Sequence, residues 1–167
     1  GDAASITDGL PYNPNLGPYE VAADGRSSGV KDDMWAFTSR NPGLDLMAAS
    51  MFASASRALK GYNDDLSARA LQQSKRLLQE STALLANQPQ DTMAWMRTSA
   101  DVATQLQLYI STNEQQYYDK FQEMLWPALD RNVNFVLLTA LNAISHMDAA
   151  YKEKLRPYVL KYREYID

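Results

Sequence analysis

Cysteine is absent from the 167 residues and histidine occurs once. The first absence excludes a disulfide scaffold, thiolate zinc sites, iron–sulfur clusters and cysteine nucleophiles. The second leaves little for a transition-metal site, so no metal or other cofactor is expected. Basic residues are not in excess either, with 16 Lys+Arg against 20 Asp+Glu and a formal net charge of −4. That balance, with a pI near 5.0, gives no footprint for a nucleic-acid partner. No run approaches the ~18 consecutive apolar residues of a membrane span. With 46% hydrophobic residues, a chain of this length removes roughly 70% of its unfolded surface from water, so it folds without a covalent staple. Lack of cysteine suits an oxidising compartment, and a secreted or periplasmic location is the expectation.

What is present is unevenly distributed. Six of the seven glycines and four of the seven prolines lie within residues 1–43. Residues 1–41 therefore read as a loop-rich segment with at most a short hairpin. Its best turn signal is Asp24-Gly25, with Tyr19-Glu20-Val21 before it and Met34-Trp35-Ala36-Phe37-Thr38 after it. A long stretch without regular structure is unusual inside a compact fold, so this one is expected to line a functional surface or to be the remnant of something longer.

Residues 42–167 turn helical. Asn41 can cap while Pro42 takes the first helical position, where a missing N–H costs nothing. Leu44, Met47, Met51, Ala55 and Leu59 recur at helical spacing until Gly61 supplies a left-handed end. Many small residues between them mark an inner helix. A second helix is expected from about Asp64 to Ala86, with Leu66, Ala70, Leu77, Leu78 and Leu85 inward. A third runs from about Thr92 to Ser111, with Trp95, Val102, Leu106 and Tyr109 on one stripe. Thr112-Asn113 is expected to cap a fourth, and Pro127 to separate it from a well-buried fifth that carries Val133, Val136, Leu137, Ala140, Leu141 and Ile144. Pro157 is expected to kink or split the last. The fold class is thus all-α, about six helices in three antiparallel hairpins. Such a stack is either an open solenoid or part of a closed ring.

Chemistry is sparse. No phosphate-cradling glycine loop, Gly-x-Ser-x-Gly elbow or His-Glu-x-x-His helix occurs. His146, at the polar end of an apolar helix, reads as a capping or exposed residue rather than a catalytic one. Acidic pairs occur at Asp32-Asp33, Asp64-Asp65 and Glu114 with Asp119. Capping at a helix start explains Asp64-Asp65, and solvation is the plainer reading of Asp32-Asp33. Tyr12, Tyr19, Trp35 and Phe37 suit stacking on sugar rings, or equally packing of the loop. Trp95 and Trp126 read as core or rim residues of the helical layer.

The stretch Thr38-Ser39-Arg40-Asn41-Pro42-Gly43, followed by the small-residue helix Leu46 to Lys60, resembles the middle of glycoside hydrolase family 9, the cellulase and endoglucanase family. There a Ser-x-Pro-Gly-like turn opens an Ala-rich inner helix ending in an Ala-Ser-Arg-x-Phe-Lys-like sequence. Tyr62-Asn63-Asp64-Asp65 to Leu71 is similar to the next helix start of that family. Asp91-Thr92-Met93-Ala94-Trp95 is similar to its Asp-Glu-x-x-Trp motif, and Leu108-Tyr109 to Tyr117 to its Leu-Tyr-x-Ala-Thr-Gly-Asp-x-x-Tyr turn. The four blocks agree in order and approximate spacing over roughly residues 35–125.

The resemblance implies part of an (α/α)6 toroid whose inner ring carries a glucan groove at one end. It also implies inversion of configuration by two carboxyls ~6.5–9.5 Å apart. The paired aspartates of the family sit in an Asp-Ala-Gly-Asp motif, and no such tetrapeptide occurs here. Its general acid is a Glu near the C-terminal end, with no counterpart in this chain. Glu114 falls in an interhelix turn, and Thr92 replaces the second acid of Asp-Glu-x-x-Trp. The expectation is therefore a segment of a family 9-like glycoside hydrolase for β-linked glucan, inactive as this chain alone, with no catalytic residue of its own. Its expected partners are a poly- or oligosaccharide and the remainder of the toroid. The expected sugar contacts are Trp35, Arg40, Asp91 and Trp95, against the plain alternative that the tryptophans pack and Arg40 pairs with a carboxylate. The rival class is a non-catalytic helical-hairpin interaction module.

Overall fold

Asn41 starts the helical part of the chain. In the computed structural model, which describes residues 8–33, 41–86 and 94–166, its Oδ1 accepts from the N–H groups of Gly43 and Leu44 at 3.0 and 3.2 Å. Six helices follow: α1 (Pro42–Leu59), α2 (Asp64–Ala86), α3 (Ala94–Thr112), α4 (Gln115–Arg131), α5 (Val133–Ala143) and α6 (Ala149–Ile166). Among the described residues there is no strand, so the protein is all-α. Among those residues no helix is long and apolar enough to cross a membrane. The chain divides into two units, Gly1–Ser39 and Arg40–Asp167.

The first unit is held by turns. Gly25, at φ +69°, closes a turn in which its N–H reaches the Ala22 carbonyl at 2.8 Å. The returning backbone is Ser27–Gly29, where Ala22 and Gly29 N–H groups bond Ser27 and Glu20 carbonyls. Met34–Thr38, expected to form that return, lies outside the described residues. Gly29 is required: a Cβ there would sit 1.7 Å from the Gly17 carbonyl oxygen.

The second unit is a two-layer array of three hairpins. Antiparallel pairing of α1 and α2 follows from Ser67 and Ser74, whose hydroxyls donate to the Ser56 and Ala49 carbonyls at 2.6 Å each. Gly61, at φ +81°, ends α1 as its sequence position requires, and Asn63 Oδ1 accepts from Leu66 N–H at the start of α2. α1 and α3 run parallel: Thr104 donates to the Leu46 carbonyl at 2.7 Å and Ser111 to the Ala53 carbonyl at 2.9 Å. Arg57 crosses the same interface to the Gln107 carbonyl at 3.0 Å and the Ser111 hydroxyl at 2.6 Å. α5 packs on the other flank of α3, which gives an odd layer α1, α3, α5. In the even layer, Lys75 of α2 bonds Glu114 at the start of α4, and Tyr158 of α6 donates to Asp130 of α4 at 2.7 Å.

Two cores result. One joins Leu46, Ala53, Leu78 and Leu108. The other joins Val102 and Leu106 to Phe121, Leu125, Leu137 and Leu155, among others.

Several sequence expectations are corrected. α1 buries Leu46, Ala49, Ala53 and Ser56, so the anticipated stripe of Leu44, Met47 and Met51 is the exposed side. On α2, Ser74 and Ser81 are buried beside Leu77 and Leu78, while Leu66 is exposed. Pro127 lies inside α4, which ends only at Asn132, and Pro157 lies within an unbroken α6. Thr112 ends α3, and Asn113 takes the left-handed conformation at φ 56°; Glu114 is then the residue before α4.

Candidate functional site

One residue, Asn132, connects α4 to α5. Its backbone, at φ −154° and ψ 77°, is not helical, so the chain turns a tight corner there. α3 lies antiparallel beside α4, as the Tyr109–Tyr118 ring contact at 5.1 Å requires. The first turn of α3 thus faces the last turns of α4 and the start of α5. Between them lies a cleft of about 230 Å³.

Trp95 forms part of its wall. The side chain is 38% exposed, and its ring centroid is 4.1 Å from that of Phe135, inclined at 44°. Met124, Pro127, Ala128 and Val136 supply further apolar surface. The polar lining comes from Thr98, Ser99, Arg131 and Asn132. Both hydroxyls already donate within α3, Thr98 to the Ala94 carbonyl at 2.9 Å and Ser99 to the Trp95 carbonyl at 3.0 Å. They therefore present only acceptor lone pairs to an occupant. Asn132 makes no side-chain capping bond to α5.

Of the four sugar-contact residues expected from sequence, only Trp95 can be placed; Trp35, Arg40 and Asp91 lie outside the described residues. Phe135, Arg131 and Asn132 carry no motif that marks them in the sequence. Their association with Trp95 depends on the antiparallel register of α3 and α4, which no local motif reports. Trp126 is a rim residue: its Nε1 donates to Gln122 at 3.0 Å, and Lys154 lies 4.1 Å over its ring.

The acidic pairs are engaged elsewhere. Asp32 accepts from the Asp8 backbone N–H in the first unit. Asp64 Oδ1 accepts from Gly61 N–H at 2.7 Å, and Asp65 faces Arg69 at 3.7 Å. Lys75, and then Gln116, hold the Glu114 carboxyl below its ordinary range. That carboxylate stays ionised at neutral pH, which unsuits it as a general acid. Asp119 accepts from Gln115. His146 is exposed in a 3-10 turn, Ile144–His146. Among the described residues no cluster of three or more His, Cys, Asp or Glu side chains is placed to hold a metal.

Compared with known proteins, the chain matches no family model, no curated protein and no solved structure.

Proposed function

We propose that this chain is a segment of a family 9-like glycoside hydrolase acting on a β-linked glucan, without catalytic activity by itself. The observation that carries the reading is the unequal flanking of the odd helices. α3 has α1 on one side and α5 on the other. Among the described helices α1 has α3 on one side only, and the arc of α1 away from α2 and α3 is apolar. It holds Leu44, Met47, Ala48, Met51, Phe52, Ala55, Ala58 and Leu59, roughly 140° of the helix surface at 3.6 residues per turn. Leu44 is 62% and Met51 67% exposed. An apolar face of that extent suits a further inner helix, as a toroid would supply. The parallel run of α1 and α3 supports the same arrangement.

The pure polypeptide is expected to release no reducing ends from carboxymethylcellulose or mixed-linkage glucan, because neither carboxyl motif is present. Cleavage that disappears on mutating an acid within the chain would overturn this. Cello-oligosaccharides are expected to alter tryptophan emission, and an unchanged spectrum at millimolar ligand would count against the glucan reading. The rival interaction module requires polar capping helices at both ends of the stack; on α6, Lys152, Glu153, Arg156 and Lys161 are exposed, but so are Leu160 and Ile166. The reading frame encoding the chain discriminates between the two, since the glycosidase reading requires an upstream Asp-Ala-Gly-Asp motif.

A further inference from the structure

The cleft beside Trp95 has the dimensions and chemistry of a site for one ring. Its volume of about 230 Å³ is below the ~300–1,000 Å³ usual for drug-sized ligands. One wall is an aromatic face: Trp95 is propped by Phe135 and partly open to solvent. Such a face accepts the apolar C–H surface of a pyranose. The oxygens of Thr98 and Ser99 have already spent their hydrogens on helix carbonyls. Both oxygens can accept from the O–H groups of an occupant such as a sugar.

Charge narrows the class further. Among the described residues Arg131 is the one charged residue lining the cleft, and it forms no salt bridge with another of them. The acids near it in sequence are engaged elsewhere. Asp130 accepts from the Tyr158 hydroxyl, and Glu123 holds Lys120 at 2.9 Å. A guanidinium left in this state presents a planar fork suited to a carboxylate.

We propose that the cleft seats a single pyranose ring bearing a carboxylate, a uronosyl residue, with Trp95 against its C–H face and Arg131 paired with its carboxylate. The assignment rests on the reading of the chain as part of a glucan-acting protein and adds an acidic sugar to it.

Calorimetric titration with cellobiose and with cellobiouronic acid, its counterpart carrying one glucuronosyl ring, tests the assignment. The acidic disaccharide is expected to bind about tenfold more tightly at low salt, the scale of one partly solvated charge-assisted contact. Arg131→Gln is expected to abolish that preference. Arg131 is exposed, so this variant should fold, as far-UV circular dichroism will verify. Trp95→Ala is expected to weaken both ligands. Equal binding of the two disaccharides would overturn the uronosyl assignment and leave the glucan reading standing. A preference that survives Arg131→Gln would overturn the role of Arg131. Failure of both ligands at millimolar concentration would overturn both readings.

Discussion

Asp101 shows how a single carboxyl on α3 couples stability to pH. It accepts from Gln105 Nε2 at 2.9 Å, and burial pushes its proton affinity up, against smaller opposing effects of Gln105 and the Lys120 charge. The unfolded chain ionises this group in the ordinary range, whereas the folded protein holds the proton to higher pH. Between those two points the native state binds more protons, so stability falls as pH rises through the window. At neutral pH the ionised Asp101 is therefore a cost. Asp101→Asn keeps the amide acceptor and removes the charge, so its urea midpoint should exceed that of the parent at pH 7. The gain should shrink on acidification to about pH 4, near the ordinary Asp pKa. A midpoint unchanged or lowered at pH 7 would contradict this. Asp101 had no distinguishing mark in the sequence, because its partial burial and the nearby Lys120 charge come from tertiary packing. Trp95 was recognisable as an aromatic residue at a helix start, but Arg131 and Phe135, 36 and 40 positions further on, became its neighbours only through the fold.

At the scale of the element, α1 presents two apolar stripes of similar period, one of large side chains and one of small. Hydrophobicity favours the large stripe, Leu44, Met47 and Met51, yet the small one is buried. The reason lies in the partners. Hydroxyls of Ser67, Ser74, Thr104 and Ser111 reach main-chain carbonyls of α1, and such bonds demand close backbones, which Ala49, Ala53 and Ser56 permit alongside Leu46. Ala53→Leu should therefore overpack the α1/α3 contact and cost about 1–3 kcal/mol. Met51→Glu, on the exposed stripe, should shift stability by no more than about 0.5 kcal/mol. Denaturation midpoints of the two variants decide, and a reversed order would restore the expected stripe. Pro127 misleads in a different way. It removes one N–H from α4, but the helix continues past it to a bond between Asn132 N–H and the Ala128 carbonyl at 2.9 Å. A proline signals a missing donor, and the packing of the following turn decides whether the helix stops.

For the whole molecule, the all-α class and the positions of most helices follow from residues read in order, since caps and turns such as Asn41 and Gly61 act locally. The parallel run of α1 beside α3 and the division into two cores depend on contacts between residues far apart in the chain, Leu46 with Thr104 for example, 58 positions apart. α3 belongs to both cores, contributing Leu108 to one and Val102 with Leu106 to the other. Leu106→Ala should cost about 2–5 kcal/mol, the range for large-to-small changes at buried sites. Hydrogen exchange will show where that loss is felt. The amides of α1 and α2 should lose as much protection as those of α5 and α6, although Leu106 lies in the core that α1 and α2 do not share. Loss confined to α5 and α6 would refute this. A helix common to both cores turns two clusters into one cooperative unfolding unit, so neither can open as a private fluctuation, and the slowest-exchanging amides of the helical unit should be those of α3.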